Sequence, residues 1–551
     1  MNRIRPTVIA FAMAVVCLSA TVALADSWNY WGRDLNNSSY DKDEKGITAA
    51  NVGNLKVKWV FDLAADGGAD CASNRDGCSS YVTPTVSDGS VYFTDYAGNL
   101  YSVDTATGKL NWRQQISRYT GTRNDFSRNS PAIASDTLYF GSYVTATVIA
   151  VDRADGSLKW KQSVDSHPLA HITASLVVFG DTVYVGVASS SERAAIRMGL
   201  RDIWRTFRGS VSALDAKNGA VKWRTDMIPP PPAGTHPIDW FSGSAVWGSS
   251  FPIDAPRDAI YVSTGNNYHA TAALKNCVDA FPGIAPVNPS RKMKDHIQIC
   301  LADHDDPDNY VDSILSLNLG SGEVNWATKL VGYDPWTVPC VYGSNRRNCP
   351  VPTGPDYDFG QAPMLWSAVI DGKEHDFVGA GAKRGTFWAL NRDNGTVVWS
   401  NQGVGGTTGG SQWGSATDGN TIFTANTVGR TPPSPPTWPA GFWRAIDAAT
   451  GATLWQKDGP VGTATACIRC NAAYGALSAT NDVVFAGSLA VGVDNMLALD
   501  AKTGATLWSH EAPGSVASGP SIVDGVVYWT TGYHGLFRTT KGQLLYAFEL
   551  P

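Results

Sequence analysis

Charge is scarce in this 551-residue chain: 17% of its residues are Asp, Glu, Lys or Arg, against about 25% in an average globular protein. An excess of basic charge is lacking too, with 43 Lys and Arg against 49 Asp and Glu, a net charge of −6 and a pI near 5.8. That balance argues against nucleic acid or an anionic membrane surface as the main partner. Beyond the N-terminus no stretch offers the roughly 18 uninterrupted apolar residues of a membrane span. The Cys467-Ile-Arg-Cys470 pair is followed by Asn471, where c-type haem attachment needs His. No haem is expected in this chain.

What is present is more informative. A hydrophobic share of 43% excludes a disordered chain, and 55 Gly and 20 Trp point to a turn-rich, aromatic-rich fold. Residues Met1 to Ala25 carry Arg3 and Arg5, an apolar run Val8–Ser19 and a small-residue end at Ala23-Leu24-Ala25. This reads as an export signal cut after Ala25, with a periplasmic mature chain over 26–551. Val16, ahead of Cys17, is not the small residue a lipoprotein site uses. Eight cysteines follow the signal, an even number that reads as disulfides in an exported chain. Sequence proximity favours the pairs 71–78, 277–300, 340–349 and 467–470.

Seven copies of one turn organise the chain. Asp104…Gly108…Trp112 recurs as Asp152…Gly156…Trp160, Asp215…Gly219…Trp223, Asn318…Gly322…Trp326, Asn391…Gly395…Trp399, Asp447…Gly451…Trp455 and Asp500…Gly504…Trp508. Both intervals are four residues in every copy. Asp or Asn caps its own turn, Gly supplies a positive φ, and Trp lies on the returning strand, where it can fill the space between neighbouring sheets. Radial repetition of small antiparallel sheets makes a propeller. At the ends, Asn54–Trp59 looks like the Trp strand of a copy without its turn, and Leu544–Phe548 like a strand without its Trp partner. Joining them predicts an all-β, eight-bladed β-propeller, one domain over 26–551, its ring closed by N- and C-terminal strands.

The repeated Asp-x-x-x-Gly-x-x-x-Trp turn resembles the tryptophan-docking motif of the pyrroloquinoline quinone (PQQ)-dependent quinoprotein alcohol dehydrogenases. Within that family the polyvinyl-alcohol dehydrogenase branch is the nearest likeness, from Trp31-Gly32-Arg33-Asp34 to the C-terminus. The segments that carry it include His171-Ile172-Thr173-Ala174-Ser175, Ser189-Ser190-Ser191-Glu192, Ala245-Val246-Trp247-Gly248-Ser249-Ser250, Ser263-Thr264-Gly265-Asn266 and Asp356-Tyr357-Asp358-Phe359-Gly360-Gln361-Ala362-Pro363.

The resemblance implies a site. Trp247, outside the docking spacing, is the expected stacking face for PQQ. Thr173 and Ser189 supply hydroxyls, and Lys383, with Arg384 as second choice, the cation near the quinone oxygens. Arg128 is expected on a PQQ carboxylate, and Trp413 lies in a segment that closes over the cofactor. Glu192, Asn266 and Asp358 offer the oxygen ligands that Ca²⁺ prefers. A lanthanide is the alternative, because two Asp residues stand two apart. The catalytic base is Asp358 or Asp356, with Asp358 favoured by the match to Pro363.

The implied reaction is oxidation of a secondary alcohol or a polyvinyl-alcohol-like polymer by hydride transfer to PQQ, with an external cytochrome c as electron acceptor. The adjacent Cys-Cys pair of many PQQ alcohol dehydrogenases is absent, which sets the chain apart from the methanol-oxidising branch. Two other readings are a cofactor-free propeller serving as an envelope scaffold, like the outer-membrane assembly lipoprotein with related blades, and a polymer- or sugar-binding propeller. Glu192, Trp247, Asn266 and the Asp356/Asp358 pair favour the enzyme.

Overall fold

A computed structural model describes residues 26–67, 71, 77–196, 202–281, 290–341, 346–428, 440–463, 470–533 and 539–551. The export-signal reading of 1–25 and the partner of Cys470 lie outside the described residues. The other three expected disulfides, 71–78, 277–300 and 340–349, are formed.

Eight antiparallel sheets, each built on four strands, form the ring of an eight-bladed propeller. Thr85–Ser87, Ser90–Thr94, Asn99–Asp104 and Leu110–Gln115 make the first blade, running from a fully buried inner strand to an outer one that is half-buried or exposed. The eighth combines both ends of the chain: Lys56–Asp62 pairs antiparallel with Leu544–Glu549, which continues through Val526–Thr530 to Ser521–Val523. Closure leaves the ring no unpaired seam at this point, so both termini are held by a sheet. Tyr40–Asp41 adds a short parallel strand beside Ala473–Thr480.

The docking turns hold blade to blade. The indole Nε1 groups of Trp59, Trp112, Trp160, Trp223, Trp326, Trp455 and Trp508 each donate to a backbone carbonyl of the next blade, at 2.8–3.2 Å. The turn glycine has two reasons to be glycine. At Gly108 φ is +68°, and a Cβ would lie 2.6 Å from the Trp59 ring of the preceding blade. Trp399 departs from the pattern: its ring covers Gly451, yet its Nε1 has no partner among the described residues. The carbonyl of Ala448 is taken instead by Trp366 Nε1 at 3.0 Å, from the inner strand of the same blade. The spacing therefore predicts where each indole lies, but not which indole donates.

Strand direction then sets where chemistry can be built. In an antiparallel blade the start of the inner strand and the end of the second strand share one face. The docking turns, which join the third strand to the fourth, lie on the other. The long insertions fall on the first face: helices Ala272–Asp279 and Arg291–His304 sit between Ala259–Ser263 and Ser313–Asn318, joined by the 277–300 disulfide.

Candidate active site

The expected site residues occupy just those two positions of successive blades. Arg128, Thr173, Trp247, Asp356, Asp358 and Trp413 precede inner strands. Ser189 ends a second strand, while Glu192, Asn266 and Lys383 follow the ends of second strands. Glu192 is carried on the short helix Ser191–Ala194.

Four of them meet directly. Lys383 Nζ lies 2.8 Å from Asp356 Oδ1 and 2.6 Å from Asp358 Oδ1. Trp247 Nε1 donates to Asp358 Oδ2 at 2.7 Å, and the Lys383 ammonium stands 5.2 Å from the centre of the Trp247 ring. Both Asp side chains are buried. Glycines let the parts close: a Cβ on Gly265 would lie 3.0 Å from Asp358 Oδ2, and one on Gly360 would lie 2.7 Å from Trp247 Cη2. Thr173 Oγ1 donates to the Trp247 carbonyl at 3.3 Å. Ser189 Oγ is 3.5 Å from Tyr268 Oη.

Two neighbouring carboxylates escaped the sequence reading. Asp334 accepts the backbone N–H groups of Asp356 and Tyr357 at 2.7 and 2.6 Å, clamping the Asp-Tyr-Asp segment from behind. Asp312, fully buried, faces the Asp334 carboxyl, and among the described residues no N–H or O–H donor reaches either of its oxygens or Asp356 Oδ2. No spacing rule singles out Asp312, a lone Asp just ahead of Ser313–Asn318, or Asp334, a lone Asp in the loop after Val324–Lys329.

Carboxyl groups thus outnumber Lys383 five to one in this cluster. Burial pushes Glu192 up to about 8 and Asp334 up to about 7, and lifts Asp312 and Asp356 well above the usual carboxylate range. Burial opposes the charge of Lys383, but Asp356, Asp358 and Glu192 outweigh it and hold the ammonium well above its ordinary value. A dense set of buried oxygen donors with too little positive charge fits a hard cation such as Ca²⁺. Asn266, three residues past the end of Ala259–Ser263, is buried, its amide donating to the carbonyls of Asn267 and Trp336 at 3.0 Å.

The remaining candidates are more dispersed. Arg384 does not join the carboxylates but sits 5.9 Å over the Tyr357 ring. Arg128 stands 4.9 Å from the Trp413 ring and 5.5 Å from that of Tyr81, with no carboxylate partner among the described residues. Trp413 meets Trp247 edge-to-face, with centroids 6.0 Å apart. Tyr81, Tyr474 and Tyr533 complete an aromatic group around Trp413. Sequence reasoning did not assign these three tyrosines.

Residues 56–328 and 439–549 match the profile of the family described as outer membrane protein assembly factor BamB. The chain belongs to this family of propellers. Its relatives bear out the quinoprotein resemblance. Polyvinylalcohol dehydrogenase of Sphingopyxis sp. (strain 113P3) is 26% identical over 96% of this chain and 77% of that protein. Quinohemoprotein alcohol dehydrogenase of Comamonas testosteroni is 24% identical over 69% of this chain and 47% of that protein. These relatives are oxidoreductases of the quinoprotein type.

Among solved structures, the Comamonas testosteroni quinohemoprotein alcohol dehydrogenase superposes with a TM-score of 0.68, at 20% identity, over 96% of this chain and 81% of that one. A europium-containing methanol dehydrogenase gives 0.66 at 16% identity, over 95% and 98%. At these identities the structural likeness speaks for the fold.

Proposed function

We propose that the chain is a periplasmic PQQ-dependent alcohol dehydrogenase. It oxidises secondary alcohols or polyvinyl-alcohol-like polymers to the carbonyl compound and passes the electrons to an external cytochrome c. The observation that carries this reading is the buried constellation of Trp247, Asp358, Lys383 and Asp356, in which an aromatic face, two carboxylates and one ammonium converge. Its kinship with quinoprotein dehydrogenases supports the reaction class. No described helix is long and apolar enough to cross a membrane.

Each residue has a role that its surroundings support. Trp247 offers the flat face, and its N–H fixes Asp358 relative to that face. Glu192, Asn266 and Asp358 supply the oxygen set for Ca²⁺ or a lanthanide. Thr173 and Ser189 are the hydroxyl contacts, Arg128 the partner for a cofactor carboxylate, and Trp413 the closing aromatic. When bound, PQQ supplies a quinone that takes up a hydride, and the cation supplies Lewis-acid polarisation.

Asp358 acts as general base toward the alcohol hydroxyl, because the Trp247 N–H fixes its carboxylate at the edge of the aromatic face on which the quinone would lie. Lys383 keeps positive charge beside both carboxylates and supports negative charge developing near it.

The test is reconstitution of the apo-protein with PQQ and Ca²⁺, followed by dye reduction with secondary alcohols and with polyvinyl alcohol. Alcohol-dependent reduction that requires both additions is expected. Failure to bind PQQ with either Ca²⁺ or a lanthanide would sink the enzyme and leave the cofactor-free scaffold.

A further inference from the structure

A second cluster of charged side chains lies on the far side of the strand that follows Asn266. Asn267–His269 pairs with Ser242–Gly243, and alternate residues of a strand point to opposite faces. Tyr268 points toward Ser189, so His269 points away from it. His269 is buried, and its Nδ1 lies 2.9 Å from the Trp240 carbonyl. That acceptor requires a proton on Nδ1, which leaves the Nε2 lone pair free to accept.

Two cations converge on this one lone pair. Arg205 Nη2 donates at 2.6 Å and Lys275 Nζ at 3.2 Å. Arg205 Nε is buried with no hydrogen-bond partner among the described residues. Neither cation forms an ion pair with a carboxylate among the described residues. Asp239 pulls on Lys275 only from a distance, more weakly than Arg205 pushes against it. Two like charges sharing one neutral acceptor is an unfavourable arrangement that a bridging anion would relieve.

We propose that Arg205 and Lys275, converging beside the neutral ring of His269, form a binding site for an oxyanion, a phosphate or carboxylate group. The planar fork of Arg205 suits two oxygens of such a group, Lys275 adds a point charge, and the uncharged imidazole sets the spacing between them. The site lies on the face of Asn267–His269 opposite Ser189, and its test needs no PQQ.

Isothermal titration of the full chain, without added cofactor, tests it. Inorganic phosphate and succinate are each titrated at an ionic strength held constant with chloride. Saturable binding of at least one probe is expected, about tenfold weaker or more in Arg205→Gln and in Lys275→Gln. Saturation by phosphate alone marks a phosphoryl ligand, and by succinate alone a carboxylate. The ¹⁵N resonance of His269 Nε2 should move on saturation of the unaltered protein, a readout that needs no variant. The proposal is overturned if neither probe binds saturably, if both variants bind like the parent, or if the His269 signal stays still.

Discussion

Trp247 and Asp358 are joined by a 2.7 Å hydrogen bond from the indole Nε1 to Oδ2, so the aromatic face and the carboxylate are placed as one unit. Two substitutions separate their contributions. Trp247→Ala removes both the face and the donor, and PQQ affinity is expected to fall by about tenfold or more. Trp247→Phe keeps an apolar ring but releases Asp358. It should retain most of the affinity while turnover falls about tenfold or more. Equilibrium dialysis of PQQ and dye-reduction rates check the two separately; equal losses of both in the Phe variant would refute the coupling.

The two carboxylates on Lys383 are expected to behave differently. Asp358→Asn should leave PQQ binding within a few-fold and lower turnover by roughly two orders of magnitude or more, the usual contribution of a general base. Asp356→Asn removes one ion pair of the buried ammonium and should weaken turnover less. Full activity in Asp358→Asn, with loss in Asp356→Asn, would move the base to Asp356.

The docking turns made the architecture legible because the same spacing recurs seven times and each residue in it answers to a local need. Closure by Lys56–Asp62 and Leu544–Glu549 was legible from two half-motifs at the ends. Trp247, Asp356, Asp358 and Lys383 were legible only through resemblance, since single residues at strand ends carry no periodicity. Asp312 and Asp334 were not legible at all. They reach the cluster through backbone geometry that brings the start of one blade's strand beside the loop entering the next. The donor role of Trp366 was hidden for the same reason: its place beside Trp399 is a tertiary fact.

Asp334 should matter through position alone. Its two oxygens accept the Asp356 and Tyr357 amides, and Gly354 passes so close that a Cβ there would lie 2.3 Å from Oδ1. Asp356 itself has φ +60°, an unfavourable conformation for a residue with a Cβ. Asp334→Ala is expected to lower kcat about tenfold or more with little change in KM for the alcohol. Asp334→Asn, which keeps one acceptor oxygen, should recover part of the loss. If KM rises while kcat holds, Asp334 lines the substrate path instead.

Cation binding should depend on pH with a definite sign. Burial, reinforced by neighbouring carboxylates, raises Glu192 from its ordinary 4.5 to about 8, and burial raises Asp334 from 3.8 to about 7. The folded apo-protein therefore holds protons that the unfolded chain releases, and stability falls as pH rises from about 4 to 8. A divalent cation held by Glu192 must displace the proton of that carboxyl, so its affinity rises with pH. Thermal unfolding with and without Ca²⁺ at pH 5.5 and pH 8 should show the larger Ca²⁺ shift at pH 8. Equal shifts at both would contradict the proton count.

The docking glycines carry a prediction that separates backbone strain from packing. Gly121 has φ +76° and nothing within 4 Å of a would-be Cβ, so Gly121→Ala tests the backbone term alone, of order 1–2 kcal/mol. Gly108 has a similar φ of +68°, but its Cβ would lie within 2.6–2.8 Å of three atoms of the Trp59 ring. Trp59 belongs to the strand that closes the propeller, and its Nε1 bonds to Thr105 in the same turn. The ring cannot retreat without giving up that hydrogen bond, so Gly108→Ala adds a packing cost of about 1–3 kcal/mol to the backbone term. Its thermal midpoint should therefore fall clearly below that of Gly121→Ala. Matching midpoints would mean that positive φ alone selects glycine in the docking turn, and that Trp59 does not hold the seam.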